Sequence, residues 1–327
     1  MADSVLLIGA DTLLGREIRD RYAEGKIGAR LQSATLEKDA AAVFAASEDE
    51  IEVVAAVDAA MIEEAGAVVA TNFAQEAWSR VQGADVATPL VDLTGALEKE
   101  AGAVLRAPLF ETKPVEAAIH LIPQPGAWLL ASFLNDLHAH HAVARAVVTL
   151  FEPASQSGRA AIDELQKQTV ALLSFKPIPK AQYDAQLSFN LLPRTGEDSK
   201  IHLPEREARI HRELAALAKL HAGGLPVPSV RLVHAPTFHG YAASVWVDFA
   251  KRPNMAQIAA KLKEEGVDVR DESLDPPTNT GAAGQAGYAV GAIEADRSHP
   301  TGAWFWLAAD NFRLQADLAI EVLRELL

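Results

Sequence analysis

The stretch that decides the fold is Val5-Leu-Leu-Ile8 running into Gly9-Ala-Asp-Thr-Leu-Leu-Gly15. Four apolar residues ending at a glycine predict a buried strand that enters a turn. Leu14–Tyr22 follows with apolar residues at helical spacing, so the two glycines sit between a first strand and a first helix. In that setting a dinucleotide rests its pyrophosphate on the backbone N–H groups of the helix N-terminus. The usual loop carries a third, middle glycine that lets the backbone approach the phosphates. Here that position is Thr12, whose Cβ and methyl intrude and whose hydroxyl can donate to a phosphate. Two readings stay open. In one, Gly9, Asp11, Thr12, Leu13, Leu14 and Gly15 form a cofactor loop; in the other, Gly9 and Gly15 only shape a tight strand-to-helix turn. No acidic residue marks the end of the second strand for NAD, and Ser33, Thr35 and Lys38 are the polar groups placed to receive a 2′-phosphate.

Outward from this loop, further strands are predicted at Ile51–Val54, Ala67–Ala70, Pro89–Asp92 and His120–Ile122. Helical stretches separate them, Ala74–Val81 being one, and such alternation predicts a parallel sheet with helices on both faces. The second half has a different grain. Helices are expected at Trp128–His138, about Ser157 to Leu173, Glu205–Leu220 and Leu314–Leu327. Strands are expected at Ala144–Phe151, Ser229–Val233, Ala242–Phe249, Tyr288–Glu294 and Trp304–Leu307. Asp275–Gly287, rich in Pro, Thr, Gly and Ala, reads as an exposed loop.

Bulk composition narrows the function classes. A length of 327 residues suggests two domains. A net charge of −14 repels nucleic acid and anionic lipid, so neither is an expected partner. The absence of cysteine removes disulfides and thiolate metal sites. No signal peptide is visible and the longest apolar runs are too short to cross a bilayer, so a cytoplasmic location is expected.

Five segments, in order and in register, resemble the aspartate-semialdehyde dehydrogenase family: Leu7–Gly15, Ser155-Gln-Ser-Gly-Arg-Ala-Ala-Ile-Asp-Glu-Leu165, Phe189-Asn-Leu-Leu-Pro193, Ala235-Pro-Thr-Phe-His-Gly-Tyr241 and Ala309-Asp-Asn-Phe-Arg313. The resemblance covers nearly the whole chain. It implies an α/β architecture: a Rossmann-like NADP-binding domain over residues 1–126, completed by a C-terminal helix at 311–327, and an α/β dimerisation and substrate domain over 127–310. It also implies a homodimer, and NADP-dependent interconversion of aspartyl phosphate and aspartate semialdehyde through a cysteine thiolate.

Carried over residue by residue, that chemistry fails at several places. The nucleophile position in Ile122-Pro-Gln-Pro125 falls on Pro125. A helix start suits a thiolate, and it also suits a proline, whose missing N–H costs nothing there. The family's general acid/base histidine matches Tyr241, and its glutamine near the nucleophile matches Glu152, a negative charge beside an anionic substrate. The arginine that clamps the substrate carboxylate matches His234; Arg231, three positions earlier on a strand, points to the opposite face. A phosphate-binding arginine matches Glu98, and an asparagine near the nicotinamide matches Ala319. Glu207 keeps a substrate-binding acid, Arg209 stands for a lysine, Ser155 and Gly158 keep part of a cofactor loop, and Asp310-Asn311 is intact.

Rival constellations are sparse. His138 and His141 could share a helical face at metal-binding spacing, but no third ligand is evident, and a solvated helix C-terminus accounts for them. His239 and Tyr241 read either as a replacement acid/base pair or as interface packing. Trp304-Phe-Trp306 reads as core or dimer face. Ser155 and Ser157 have no histidine and acid adjacent in sequence. The expected function is therefore a catalytically silent family relative. The alternatives are a nucleotide- or metabolite-binding sensor or partner subunit, and an oxidoreductase with non-covalent chemistry using Tyr241.

Overall fold

A computed structural model describes residues 4–36, 43–47, 50–84 and 86–327. The chain divides into two compact units, one of residues 1–124 with 315–327 and the other of residues 125–314.

The first unit contains β1 (Ser4–Ile8), α1 (Leu13–Glu24), β2 (Arg30–Thr35), β3 (Val43–Ser47), β4 (Glu50–Val53), β5 (Ala55–Ala56), α2 (Ala59–Glu64), β6 (Ala65–Ala70), α3 (Ala74–Gly83), β7 (Leu90–Asp92), β8 (Ala103–Leu105) and β9 (Ile119–Leu121). Seven strands form one sheet in the order β5-β2-β1-β6-β7-β9-β8, every pairing parallel. All five residues of β1 are buried, as a central strand covered on both faces requires. Val68, Leu90, Ile119, Ala74, Ala77 and Val81 pack with Leu6 and Ile8 in one core. The predicted strand at Ile51–Val54 is β4, but it pairs antiparallel with β3 in a separate two-stranded ribbon. Lys38 lies outside the described residues.

The second unit contains α4 (Pro125–His138), β10 (Val143–Glu152), α5 (Arg159–Leu173), α6 (Leu203–Leu220), β11 (Ser229–His234), β12 (Tyr241–Phe249), α7 (Met255–Glu264), β13 (Asp268–Arg270), α8 (Asn279–Ala282), β14 (Ala289–Ala295) and β15 (Gly302–Ala309). The final helix, α9 (Asn311–Leu326), begins here, and its later turns belong to the first unit. The six-stranded sheet is mixed, in the order β11-β10-β12-β15-β14-β13. Its strands alternate. Val148, Leu150, Val245, Val247, Phe305 and Leu307 are buried on one face. On the other, Val147 and Trp304 are about half exposed, and Trp246, Trp306 and Phe151 are half-buried. The stretch read as an exposed loop, Asp275–Gly287, contains α8, and it is tied down: Asn279 Nδ2 donates to the Gly240 carbonyl at 2.5 Å, and the Gly284 N–H donates to Asp310. The stretch is mostly exposed, as read, and these bonds to distant residues fix its path.

Candidate functional site: a buried carboxylate cluster and a capped glycine loop

In the first unit the chain runs from β1 outward to β2 and returns to β6 on the other side of β1, so the carboxyl end of β1 is the topological switch point of the sheet. Open parallel sheets bind ligands at such a point. Gly9 sits there with φ of +84°, and a Cβ on it would overlap Asn72 Oδ1 and Thr71 Oγ1. Gly15 is as constrained: a Cβ would overlap the Gly9 carbonyl oxygen and lie 2.8 Å from Ala10 Cα. Thr12, at the middle-glycine position, is the N-cap of α1, and its hydroxyl accepts from the Gly15 N–H at 2.8 Å. The same oxygen lies 2.9 Å from Thr71 Oγ1, and Thr71 Oγ1 lies 2.8 Å from the Gly9 carbonyl oxygen. Thr12 therefore supplies α1 with an internal cap and bridges β1 to the residue after β6. Asp11, Thr12, Leu13 and Leu14 are half-buried.

In the second unit the positions matched to the family's reactive groups gather into one buried cluster. Glu152 closes β10 and His234 closes β11, and the two are partners in register. Tyr241 opens β12. All three are fully buried. The Tyr241 hydroxyl donates to Glu152 Oε2 at 3.1 Å, and His234 Nδ1 lies 3.4 Å from Glu152 Oε1. Arg206, in the first turn of α6, donates from Nη1 to Glu152 Oε1 at 2.6 Å and to Ser157 Oγ at 2.8 Å. Pro125 is buried at the first position of α4, and a Cβ on Gly126 would lie 3.4 Å from Tyr241 Cζ. The start of α4 thus packs against the tyrosine ring.

The electrostatics follow from this arrangement. Burial alone would push the Glu152 carboxyl up, but the Arg206 guanidinium and His234 hold it down at about 2. Burial, followed by the charge of Glu152, pushes the Tyr241 phenol well above its ordinary range, so it keeps its proton. Within the cluster one buried carboxylate occupies the Arg206 guanidinium, while neither ring nitrogen of His234 makes a hydrogen bond.

Sequence reasoning missed Arg206. Its signal was phase: Leu203, Ile210, Leu214 and Leu217 form the buried stripe of α6, and 206 falls on it at i+3 from 203. Of the two α6 residues it did single out, Glu207 accepts from the Leu232 N–H at 2.6 Å and Arg209 donates to Glu213 at 2.7 Å, so both have internal partners. Arg231 is exposed, 4.0 Å from Glu207, on the sheet face opposite His234. Ala319 is fully buried in α9.

Ser155, Gly158 and Asn311 are also in the second unit. The Asn311 side chain is fully buried; its Oδ1 accepts from the Gly240 N–H at 3.0 Å and lies 3.3 Å from Ser155 Oγ. Gly158, with φ of +80°, precedes α5 and gives it no side-chain cap. His239 turns away from Tyr241: its Nδ1 lies 3.1 Å from Ser155 Oγ and its Nε2 lies 3.0 Å from Asp310 Oδ2. The three histidines near 140 go to separate partners. His138 Nδ1 accepts from the Val143 N–H, His140 pairs with Glu265, and His141 packs edge-on against Phe249.

The family description "Semialdehyde dehydrogenase, dimerisation domain" matches residues 134–314. The chain belongs to the semialdehyde dehydrogenase family. A USG-1 protein homolog from Pseudomonas aeruginosa is 32% identical over 244 residues, covering 73% of this chain and 71% of that one. An aspartate-semialdehyde dehydrogenase from Rickettsia bellii is 28% identical over 61% of this chain and 59% of its own length. Among solved structures, a probable aspartate-semialdehyde dehydrogenase from Pseudomonas aeruginosa superposes with a TM-score of 0.84 at 25% identity, covering 99% of this chain and 98% of that one. One from Candida albicans, described with NADP, superposes at 0.66 with 14% identity, covering 100% and 98%. The two-domain fold of this semialdehyde dehydrogenase relative is thus that of the family, while its sequence holds no cysteine.

Proposed function

We propose that this protein is a semialdehyde dehydrogenase homologue that has given up the family's covalent chemistry. The observation that carries the proposal is the Glu152–Arg206–Tyr241 cluster. Thioester formation needs a sulfur nucleophile, and the matching position, Pro125, has no nucleophilic atom. A proton shuttle needs a group that titrates near neutrality, and Tyr241 is held protonated by burial and by Glu152. For the same reason a non-covalent oxidoreductase working through Tyr241 is disfavoured. An anionic substrate needs a cation with no carboxylate of its own, and Arg206 is already paired. The test is the family reaction itself: purified protein with aspartate semialdehyde, phosphate and NADP, followed by NADPH absorbance. No rate above blank is expected. Turnover that tracks the folded protein through purification would overturn the proposal.

A second reading makes the protein a nucleotide- or metabolite-binding sensor or a partner subunit, with NADP held by Gly9, Asp11, Thr12, Leu13, Leu14 and Gly15. It is supported by the turn at the switch point and by the likeness in fold to the Candida albicans enzyme with NADP. Thr12 works against it, because it stands at the middle-glycine position and its hydroxyl is already engaged with the Gly15 N–H and Thr71 Oγ1. Thermal shift against NADP, NAD and free nucleotides separates the readings; a shift with none of them removes the sensor.

We also infer a cytoplasmic homodimer. Among the described residues no helix is long and apolar enough to cross a membrane. The half-covered face of the six-stranded sheet is supported as the dimer surface by its apolar rows. Val147 is paired with Trp246 and Trp246 with Trp304, while Phe151 and Trp306 lie 5.8 Å apart beside them.

A further inference from the structure

Three chain segments of the second unit meet at Ser155, His239 and Asp310. Ser155 lies in the short 3-10 turn Ala154–Ser157 after β10, His239 in the turn before β12, and Asp310 between β15 and α9. His239 Nε2 is 3.0 Å from Asp310 Oδ2, and Nδ1 is 3.1 Å from Ser155 Oγ. Asp310 is held from several sides: Oδ1 accepts from the Phe312 and Arg313 N–H groups, and Oδ2 also accepts from the Gly284 N–H. Those bonds and His239 outweigh burial and keep its carboxyl below the ordinary range. An ionised carboxylate only accepts, so His239 Nε2 carries a proton, and in the neutral imidazole Nδ1 presents a lone pair to the serine. The serine proton has two acceptors in reach, His239 Nδ1 at 3.1 Å and Asn311 Oδ1 at 3.3 Å, and the imidazole is the shorter and the more basic. The imidazole is further fixed by Phe312, whose ring centroid is 5.1 Å away.

A nucleophile bonded to a base that is oriented by an acid is the constellation of acyl-transfer enzymes, recognised by geometry rather than by order in the chain. Here the imidazole is used the other way round, with Nδ1 toward the serine and Nε2 toward the aspartate; both nitrogens are chemically competent. We propose that Ser155, His239 and Asp310 form a hydrolytic triad acting on small carboxylic esters. Ser155 Oγ attacks the carbonyl carbon as its proton passes to His239 Nδ1. The tetrahedral adduct expels the alcohol, which takes that proton. Water, deprotonated by the same nitrogen, then cleaves the acyl-serine to a carboxylic acid and free serine. Asp310 keeps its hydrogen bond to Nε2 throughout and is not itself protonated. The first turn of α5 begins just after the serine turn and has no side-chain cap, and we assign its backbone N–H groups to the developing oxyanion. Ser155 is 1% exposed and a third of the His239 side chain is exposed. The ester proposed is therefore a short one, such as an acetyl ester.

The test uses the full chain with diisopropyl fluorophosphate, followed by peptide mass spectrometry, and with p-nitrophenyl acetate, followed by nitrophenolate release. The expected result is one adduct, mapped to Ser155, and ester turnover lost with Ser155→Ala. His239→Gln, which keeps a polar group in the turn, should slow both labelling and turnover by at least a hundredfold with an unchanged thermal transition. No adduct at Ser155, or equal labelling rates in the wild type and His239→Gln, overturns the triad. Neither outcome bears on the absence of semialdehyde oxidation, which is read with a different substrate and cofactor.

Discussion

Removing the phenolic oxygen of Tyr241 leaves Glu152 Oε2 one donor short in a fully buried site. Tyr241→Phe should therefore cost about 1–3 kcal/mol in urea denaturation. Arg206→Met is harsher, because it strands a buried carboxylate. A loss of about 3–5 kcal/mol is expected, and Arg206→Met combined with Glu152→Gln should recover much of it. The pH dependence has two windows. Glu152 titrates at about 2 when folded, against an ordinary 4.5, so its contribution is present above 4.5 and is lost as pH falls toward 2. His120, depressed to about 4 by burial and by the Arg106 charge, stays neutral while the unfolded chain's histidine takes up a proton. Stability therefore falls as pH drops from 6.5 to 4. His120→Gln, whose amide oxygen can still accept from Arg106, should flatten that segment of a pH series of denaturation midpoints. Glu152, His234 and Tyr241 were singled out in the sequence one by one, and the structure brings the three together. Their compensation was not legible: a charged residue on a helix reads as solvated, and only the phase of Arg206 with Leu203 and Ile210 argued otherwise.

The strand-turn-helix at residues 4–24 keeps the two tight glycines while Thr12 caps its helix from within. Gly15→Ala sets a methyl against backbone that cannot give, and should lower stability by about 1–3 kcal/mol in the same denaturation assay. Thr12→Gly removes the α1 cap at a cost of a few tenths of a kcal/mol and frees the Gly15 N–H. Its expected outcome is a larger NADP-induced thermal shift than the wild type gives; an equal shift would mean that Thr12 does not control access. Buried apolar strands such as β1, β6 and β7 were visible as short runs. β2 was not, because Arg30-Leu-Gln-Ser-Ala-Thr35 mixes polar and apolar residues and its pairing with β1 is what makes it a strand. β8, three residues at the sheet edge, offers too short a pattern to detect.

For the whole molecule, the half-covered sheet face predicts association. Val147→Glu with Trp304→Glu places two carboxylates on the proposed dimer surface without touching the buried face. Light scattering should then report the monomer mass in place of the dimer, with the far-UV spectrum unchanged. The assignment of this face was only partly legible: Trp304-Phe-Trp306 read equally as core or dimer surface, and the alternation splits it, with Phe305 inward and both tryptophans outward. A different feature governs how the chain comes to be folded. Residues 315–327 belong with residues 1–124: Gln315 Nε2 donates to the Leu93 carbonyl, Asp317 pairs with Arg21, and Glu325 pairs with the fully buried Arg106. On the ribosome the N-terminal sheet must therefore wait on the order of tens of seconds, while the whole second unit is translated, before its missing partners emerge. In that interval Arg106 has only part of its counter-charge and the apolar seat of α9 stands open, which makes nascent residues 1–124 a natural client for a chaperone.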